Sequence, residues 1–514
     1  MAIDKLIVTN GSALNAKYGK AGYAKIGAAI GRLIAADAKR GLASKLIALD
    51  SKADMAAYGA PVNSSSDARA AKRAIDAIYA RDRPDYILIL GAGDVVPLVP
   101  LRNPVYEAEV DDDKTVPSDL PYACASAYST DINRFLGPTR VVGRLPDMVG
   151  ASNPEYLLKL IASASGYKTL GSADYREYFG LSAHVWQAST SLSLAKLFGN
   201  SAGMKTTPPS GPGWSASQLV PRAHFINCHG AHRDFHYYGQ PPGKEEYPEA
   251  HSANLLPGKI IPGTILASEC CYGAELYDPV KTSGQAGIAY TYLGAGAYGV
   301  FGSTTIAYGP SAGNDSADLI CQYFMRAVMN GASLGRAALE ARQQFAGQYS
   351  HLDPTNLKTL AQFYLLGDPA IHAAAIAPHG LNQTKTFRSA FAKTKDAGVR
   401  ALRRERLQRV GAGLQKDLPA TRKAKPGKGA EPSREVSGVL KGAARESGLS
   451  RHTSMDFHVS PRTRIQAADA ARRTVHLLLS AASPGENGHI KKIVTIVATA
   501  ENGKLIHLKR LHSR

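Results

Sequence analysis

Cysteine and tryptophan are scarce in this sequence, with five Cys and two Trp among 514 residues. Five cysteines are too few for a disulfide scaffold, and an odd number cannot all pair with one another. We therefore expect reduced cysteines in the cytoplasm. Long uncharged apolar runs are also absent, which predicts that no helix spans a membrane. The first residues, MAIDKLIVTNG, lack the pattern of an export signal and predict a strand instead.

Acidic residues are scarce in the last quarter of the chain. Residues 381–514 contain 28 Lys/Arg and 10 Asp/Glu, a net charge of +18, whereas residues 1–380 contain 33 basic and 32 acidic residues. The net charge of +19 therefore lies almost entirely in the last quarter. A basic region of this kind indicates an anionic partner or, more commonly, a solvated segment.

Short runs of Val, Ile and Leu alternate with helical patterns through the rest of the chain. The runs are KLIVTN, SKLIALD, DYILILGAG, TRVVGRLP, AHFINCHG, GTILASECC and AYGVFGS. This alternation predicts an α/β fold with two doubly wound parallel-sheet blocks, at residues 1–165 and 166–380.

Composition changes after residue 380. Residues 384–416 predict a basic helix, and LPATRKAKPGKGAEPSRE has the composition of a linker, so we assign residues 381–434 to helix and linker. Two alternating apolar runs flank Asn502 and Gly503, which is a hairpin signal. Residues 435–514 are therefore predicted to form a small, basic, β-containing unit.

Two of the predicted strands end in residues with catalytic chemistry. AHFINCHG ends in His229-Gly230, and TILASECCYG contains Cys270 and Cys271. Neighbouring parallel strands end at the same edge of a sheet, where an imidazole can take the proton of a thiol. A glycine after the histidine lets the backbone approach a substrate, so the N–H groups of Gly230 and Cys271 are predicted to bind an oxyanion.

These residues, taken in order, resemble the caspase–legumain–gingipain group of cysteine peptidases. The gingipain-type branch is the most similar, through PDYILILGAGDVVP, TRVVGRLP, LGRAALEARQQF and FYLLGDPAI, between about residues 5 and 375. The resemblance implies a caspase-like fold and an endopeptidase that cuts protein or peptide substrates through a thioester. It implies no cofactor and no catalytic metal.

The pair of adjacent cysteines leaves open which one is the nucleophile. The resemblance places a small residue before the nucleophile and an acidic or amide residue two before it, which Cys270 and Glu269 satisfy for Cys271. Residues two apart on a strand share a face, so Glu269 and Cys271 are predicted to face the crevice and Cys270 the core. Cys270 remains an alternative, because Cys270 to Gly273 also fits a Cys-x-x-Gly pattern.

The sequence also offers candidates for the wall of the substrate pocket and for the group that orients His229. Residues 301–309 follow a neighbouring strand, so Ser303 and Thr304 are assigned to substrate binding beside Glu269. Relatives often carry an acidic residue before Gly-Arg, but Thr139 and Arg140 stand near that position here. Either a Cys-His dyad suffices, or another acid such as Asp119 or Asp234 orients His229.

Metal binding is a competing interpretation of the same residues. His229, His232 and His236, together with Cys228 and the cysteine pair, have the chemistry of zinc ligands, but no Cys-x-x-Cys or His-Glu-x-x-His motif is present. The acidic stretch EVDDDKT has ligands for calcium, although a solvated loop is the simpler interpretation. Cys124, Cys228 and Cys321 are predicted to be core residues.

A carboxylate beside the nucleophile favours a basic substrate residue, so Glu269 predicts cleavage after Arg or Lys. The basic region has two open roles: contact with an anionic partner, either nucleic acid or a membrane surface, or processing by self-cleavage near Arg422 or Lys423. The rival function is a catalytically inactive peptidase-like scaffold that binds such a partner.

Overall fold

The computed structural model describes residues 3–375, 385–424, 433–447, 449, 454–460, 474–484, 490–501 and 503–514. The strands up to residue 375 are β1 Lys5–Thr9, β2 Ser44–Ala48, β3 Tyr86–Leu90, β4 Val99–Arg102, β5 Thr115–Ser118, β6 Val142–Leu145, β7 Leu170–Gly171, β8 Tyr178–Ala183, β9 Lys205–Thr207, β10 Ala223–Asn227, β11 His229–Gly230, β12 His236–Tyr238, β13 Glu249–Ser252, β14 Ile265–Ser268, β15 Gly299–Ser303, β16 Tyr308–Gly309, β17 Phe363–Leu366 and β18 Ala374–Ala375. The later strands are β19 Arg422–Ala424, β20 Ser454–Ser460, β21 Thr474–Pro484, β22 Lys491–Glu501 and β23 Lys504–Ser513.

The α-helices lie between these strands or after them. They are α1 Gly11–Lys39, α2 Lys52–Met55, α3 Ala68–Asp82, α4 Glu155–Gly166, α5 Gln187–Phe198, α6 Ala216–Leu219, α7 Ile288–Gly294, α8 Ser316–Met329, α9 Leu334–Gly347, α10 Pro354–Gln362, α11 Lys385–Asp417 and α12 Arg434–Glu446. Within the described ranges, no helix has both the length and the apolar character needed to cross a membrane.

One ten-stranded sheet runs through both predicted blocks. Its order is β2-β1-β3-β6-β17-β15-β14-β10-β8-β9, and most neighbours are parallel. Every residue of β1, β3, β10, β14 and β15 is buried, as expected when helices cover both faces of a sheet. The structure therefore confirms a mixed α/β fold with a large, mainly parallel sheet.

The two blocks meet at an antiparallel pair of strands that the sequence did not predict. β17 is parallel to β6 but antiparallel to β15, so the strands on either side of this pair run in opposite directions. Asp368, in the Gly-Asp-Pro segment that follows β17, forms a buried ion pair with Lys5 of β1. Residues late in the chain thus complete the first block, because β17 continues the direction of that block's strands.

The basic helix α11 covers the predicted helical stretch and lies against the α/β body. Arg404 lies 2.7 Å from Asp85, and Arg400 contacts both Asp4 and Asp85. These cations are therefore paired within the chain, which differs from the expected solvated segment. A helix that bears arginines on the face toward acidic residues docks by charge as well as by packing.

A second, six-stranded sheet contains the predicted β unit and borrows a strand from the body. Its order is β16-β23-β22-β21-β20-β19, and α12 packs on it through Val436 and Leu440. β23 is antiparallel to β16, with Tyr308 opposite Ser513 and Gly309 opposite His512. The last described strand is thereby joined to an edge of the α/β body.

Part of the predicted linker is also a strand. Arg422–Ala424 form β19 and pair with β20, and the Nζ atom of Lys423 lies 2.8 Å from Asp456. The expectation of a flexible segment around Arg422 and Lys423 is therefore wrong, because a paired strand does not present an accessible backbone to a peptidase. Residues 425–432, and Asn502 of the predicted hairpin, lie outside the described residues.

Candidate active site

Two neighbouring strand ends bring His229, Gly230 and Cys271 to one edge of the large sheet. β10 and β14 are parallel and in register from Ala223 opposite Ile265, so their ends lie side by side. A Cβ atom on Gly230 would clash with the carbonyl group of Cys271. Glycine is needed at this position because the two backbones touch.

The two adjacent cysteines face different surroundings. The Cys270 sulfur is buried and accepts a hydrogen bond from the backbone N–H of Cys228 at 3.4 Å. The Cys271 sulfur accepts one from the N–H of Ala307 at 3.2 Å, and its own backbone N–H donates to the carbonyl oxygen of Arg514 at 3.0 Å. Burial raises the pKa of each thiol to about 12. Cys270 thus faces the sheet interior, while Cys271 borders the space that Arg514 fills.

The loop geometry differs from the extended strand assumed in the sequence analysis. β14 ends at Ser268, and Tyr272, just after the cysteines, has a φ of 54° in the left-handed region. A bulky residue in this conformation is uncommon and occurs where the surrounding structure holds it. A tight turn after the sheet, rather than strand alternation, therefore directs the backbone N–H of Cys271 toward Arg514.

His229 is held in one tautomer by a glutamine. Its Nε2 lies 2.9 Å from the side-chain oxygen of Gln240, and the amide nitrogen of Gln240 donates to the carbonyl of Lys244 at 2.7 Å. Since that amide nitrogen must face Lys244, the amide oxygen faces the ring and Nε2 carries the proton. Nδ1 has no hydrogen-bond partner among the described residues and keeps its lone pair.

The surroundings of His229 favour the neutral ring. The ring lies 4.3 Å from Trp186 and 4.9 Å from Tyr247 between centroids. Burial lowers the pKa of His229 to about 3. No hydrogen bond joins His229 to Cys271 within the described part of the chain, since the Cys271 thiol donates to Ala307 instead.

Neither acid considered as a partner for His229 contacts it. Asp119 forms a buried ion pair with Arg144, at 2.6 Å. Asp234 accepts hydrogen bonds from His236 and Tyr238. Gln240 was missed because it lies beyond the short β11–β12 hairpin, whose pairing of His229 with Tyr238 brings it back toward the ring.

Arg514 is bound by backbone groups on both sides of the cysteine. Its carbonyl oxygen accepts from the N–H of Cys271 at 3.0 Å and from the N–H of Gly230 at 3.3 Å. Its own N–H donates to the carbonyl of Ala307 at 2.9 Å. Two convergent N–H donors on one carbonyl oxygen form the arrangement that stabilises an oxyanion in acyl transfer.

The side chain of Arg514 fills a buried pocket with a carboxylate in its wall. One guanidinium nitrogen, Nη2, lies 3.0 Å from Asp318 and donates to the carbonyl of Pro310 at 2.7 Å. The guanidinium carbon lies 4.4 Å from the centre of the Trp186 ring. A side chain on Gly309 would overlap this guanidinium. The pocket is therefore shaped and charged for a guanidinium group.

Asp318 is positioned by the start of α8 and by a neighbouring helix. It is the third residue of α8, and Ser189 of α5 donates to its carboxylate at 2.5 Å. Sequence patterns did not single out Asp318, because a helix-capping residue looks the same whether or not it also faces a pocket. The signal that was available, an Asp three residues after Asp315, indicated only a helix start.

Glu269 lies beside this pocket but makes no hydrogen bond to Arg514. Both of its carboxyl oxygens are buried without a donor, and so are Nε and Nη1 of Arg514 without an acceptor, among the described residues. Burial and the nearby Asp318 carboxylate raise the pKa of Glu269 well above its ordinary value. A protonated Glu269 can donate a hydrogen bond to Asp318, whose carboxylate contacts Nη2 of Arg514.

Ser303 and Thr304 support the site's loops and do not contact Arg514. The Ser303 hydroxyl donates to the carbonyl of Cys270 at 2.8 Å, and the Thr304 hydroxyl donates to that of Pro117 at 2.8 Å. Within the predicted wall of residues 301–309, Ala307 and Gly309 border Arg514, together with Pro310 just beyond it. Ser303 therefore positions the cysteine loop.

The histidines considered as metal ligands have separate partners. His232 lies 2.8 Å from Glu275, and His236 lies 2.9 Å from Asp234. In the described ranges, no group of three or more His, Cys, Asp or Glu side chains is arranged to hold a metal ion. The acidic stretch at 109–115 is tied to protein groups, with Asp111 bound to Lys358 at 2.5 Å and to the Tyr308 hydroxyl at 2.7 Å.

A thiol, an imidazole and two convergent N–H donors at one sheet edge are the groups that cysteine peptidases use. The sequence model of peptidase family C25 matches residues 259–374, which include both adjacent cysteines and the Gly-Asp-Pro segment. The resemblance to gingipain-type cysteine peptidases is thus confirmed over this segment, and it supports a peptidase acting on proteins.

Comparisons with curated proteins and with solved structures do not extend this family match. No curated protein matches the sequence. A solved structure described as "Structure of Protease" is similar at 13% identity and a TM-score of 0.46, covering 99% of this chain and 97% of the other.

Proposed function

We propose that this protein is a cysteine endopeptidase that cuts after arginine, with Cys271 as nucleophile and His229 as base. One observation carries the proposal: Arg514 has its carbonyl oxygen between the N–H groups of Gly230 and Cys271 while its side chain fills the Asp318 pocket. A scissile arginine at P1 requires this combination of contacts.

The proposed reaction uses the free nitrogen of His229. Nδ1 takes the proton of Cys271, and the sulfur forms a bond to the carbonyl carbon of the scissile peptide. The negative charge on the oxygen is held by the two N–H groups, and the carbon–nitrogen bond then breaks as the imidazolium returns the proton to the leaving amine. Water attacks the thioester and regenerates the thiol. The attack requires the Cys271 sulfur to leave its hydrogen bonds with Ala307.

Selectivity for arginine follows from the pocket. Asp318 supplies the charge, and the Trp186 ring supplies a flat surface on which a planar guanidinium stacks. Lysine keeps the charge but loses the stacking on Trp186, because an ammonium group has no planar face. Glu269, whose pKa is influenced by both Asp318 and Arg514, is a second carboxyl group beside this pocket.

The rival function, an inactive scaffold that binds an anionic partner, has less support. Arg400 and Arg404 of the basic helix already pair with acidic residues of the body. All five cysteines are unpaired thiols, which supports our proposal of a reducing compartment, the cytoplasm.

The test is hydrolysis of fluorogenic peptides that differ only at P1, with Arg, Lys, Ala or Glu. Because Arg514 fills the pocket, each assay is run on the unchanged chain and on Arg514→Gln. We expect turnover after Arg, weaker turnover after Lys, and none after Ala or Glu. Asp318→Asn should abolish the preference for Arg over Ala.

Two matched pairs of variants test the catalytic residues. Cys271→Ala should abolish turnover, and Cys270→Ala should retain it. His229→Ala should reduce turnover by at least about a hundredfold, whereas His232→Ala should have a small effect. Loss of turnover in Cys270→Ala with retention in Cys271→Ala would reassign the nucleophile, and no turnover by any chain would favour the rival function.

A further inference from the structure

The last strand lies in the peptidase cleft as an added strand. β23 pairs antiparallel with β16, residue 513 opposite 308 and residue 512 opposite 309, and Arg514 continues this pairing through its N–H bond to Ala307. An extended peptide that adds to an exposed strand edge, with one side chain in a deep pocket, is a common mode of peptide recognition. β16 therefore presents a binding edge for an extended peptide.

We propose that residues 504–514 are an intramolecular ligand of this cleft, which they block by binding as the non-primed residues of a substrate with arginine at P1. The proposal rests on the proposed function only in naming the blocked site as the substrate cleft of a peptidase. The occupancy itself rests on the contacts of β23. Arg514 is the anchor, because its side chain is fully buried in the Asp318 pocket.

Ion pairs outside the cleft hold this strand in place. The Nζ atom of Lys509, on β23, lies 2.7 Å from Asp353 and 3.5 Å from Asp315 at the start of α8. On the neighbouring strand β22, Lys491 lies 3.4 Å from Asp112, and Lys492 forms an ion pair with Glu245. The sheet that carries β23 is therefore attached to the body on several sides.

The hydroxyl of Ser513 further ties the end of β23 to its own sheet. It accepts from the N–H of Ile493 at 2.9 Å and donates to the carbonyl of Lys491 at 3.0 Å. Arg514 is thus delivered to the pocket by a strand fixed one residue earlier. A tethered ligand has a high effective concentration, so a free peptide competes with it poorly.

The experiment measures peptide binding without catalysis. Fluorescence anisotropy follows a fluorescein-labelled peptide with the sequence of residues 505–514, added to Cys271→Ala and to Cys271→Ala with Arg514→Gln. The second chain should bind at least about tenfold more tightly, since removal of the anchor empties the Asp318 pocket and weakens the competition from β23. The same peptide ending in Ala should bind neither chain.

The control is Lys504→Ala in the Cys271→Ala chain, which removes an exposed cation from the far end of β23 and should leave the affinity unchanged. Melting temperatures confirm that all the chains fold. Equal affinities with and without Arg514 would overturn the inference and leave the proposed function intact. Binding to neither chain would overturn the arginine pocket and, with it, both proposals.

A second measurement uses the thiol itself. Cys271 should react with iodoacetamide several-fold faster in Arg514→Gln than in the unchanged chain, because a covered thiol reacts slowly. Cys270, which faces the sheet interior, should react at one slow rate in both chains. Equal rates for Cys271 in the two chains would contradict occupancy of the cleft.

Discussion

At the scale of single residues, the amide of Gln240 occupies the position beside His229 that an acidic residue has in many catalytic triads. It accepts from Nε2 of His229 and, through Lys244, cannot turn around. An amide orients the ring without adding negative charge, so it stabilises an imidazolium less than a carboxylate does. In the proposed mechanism, His229 is therefore a weaker base than a histidine paired with a carboxylate.

We predict that Gln240→Ala lowers kcat by about tenfold or more while KM changes little, because the ring loses its fixed tautomer. Gln240→Glu should restore part of kcat and move the acidic limb of the pH–rate profile upward, since a carboxylate raises the pKa of its partner imidazole. The kinetic constants and pH–rate profiles of both Gln240 variants are measured in chains that also carry Arg514→Gln. A purely structural role would instead change KM and melting temperature together.

At the scale of elements, the central strand β6 carries a buried arginine. Arg144 has no exposed surface, pairs with Asp119, and donates to the carbonyls of Gly91 and Val96. The neighbouring charge of Asp119 raises the pKa of Arg144 despite its burial. This cluster joins β3, β6 and the loop before residue 120, beside the seam where β17 meets β6.

Asp119→Ala should destabilise the protein by about 3–5 kcal/mol, because it leaves a buried guanidinium without its counter-ion. Urea unfolding measures the free energy of unfolding. Glu155→Ala, which removes the exposed partner of Lys25 at 3.8 Å, is the matched control and should change it little. Similar effects of the two substitutions would show that Arg144 does not depend on Asp119.

At the scale of the whole molecule, buried histidines make stability depend on pH. His224 and His251 share the hydroxyl of Tyr292, and burial lowers the pKa of His224 to about 4 and of His251 to about 3. At a pH between these lowered pKa values and 6.5, the ordinary pKa of histidine, the two side chains bind protons in the unfolded chain but not in the folded chain. Each group therefore stabilises the fold above about pH 6.5 and loses that contribution as the pH falls.

The free energy of unfolding should decrease from pH 6.5 toward pH 4, with a slope of up to about 1.4 kcal/mol per pH unit from each histidine. Denaturant unfolding at several pH values measures it. His224→Gln should flatten the slope, while substitution of the exposed His507 should not. Buried carboxyls with a raised pKa, such as Asp111, change the free energy of unfolding in the opposite direction as the pH falls. The decisive quantity is therefore the difference in slope between the unchanged chain and His224→Gln.

Much of the fold and the order of the candidate catalytic segments could be read from the sequence. Apolar runs that alternate with helical patterns identify the buried parallel strands, because a strand covered on both faces needs apolar residues throughout. His229-Gly230 and Cys271 stand where such strands end, and parallel strands end at one edge. The family match over residues 259–374 agrees with the segment that the cysteines define.

Only the tertiary structure decided which groups surround these residues. Asp318, Trp186, Gln240 and Arg514 are distant from Cys271 in the chain, and their patterns indicate a helix cap, a core aromatic, a loop amide and a strand end. The sequence by itself determined the strands, the catalytic segments and the uneven charge, since these follow from local periodicity and composition. The joining of two sheets into one and the placing of the last strand in the cleft depend on long-range pairing, which local patterns do not encode.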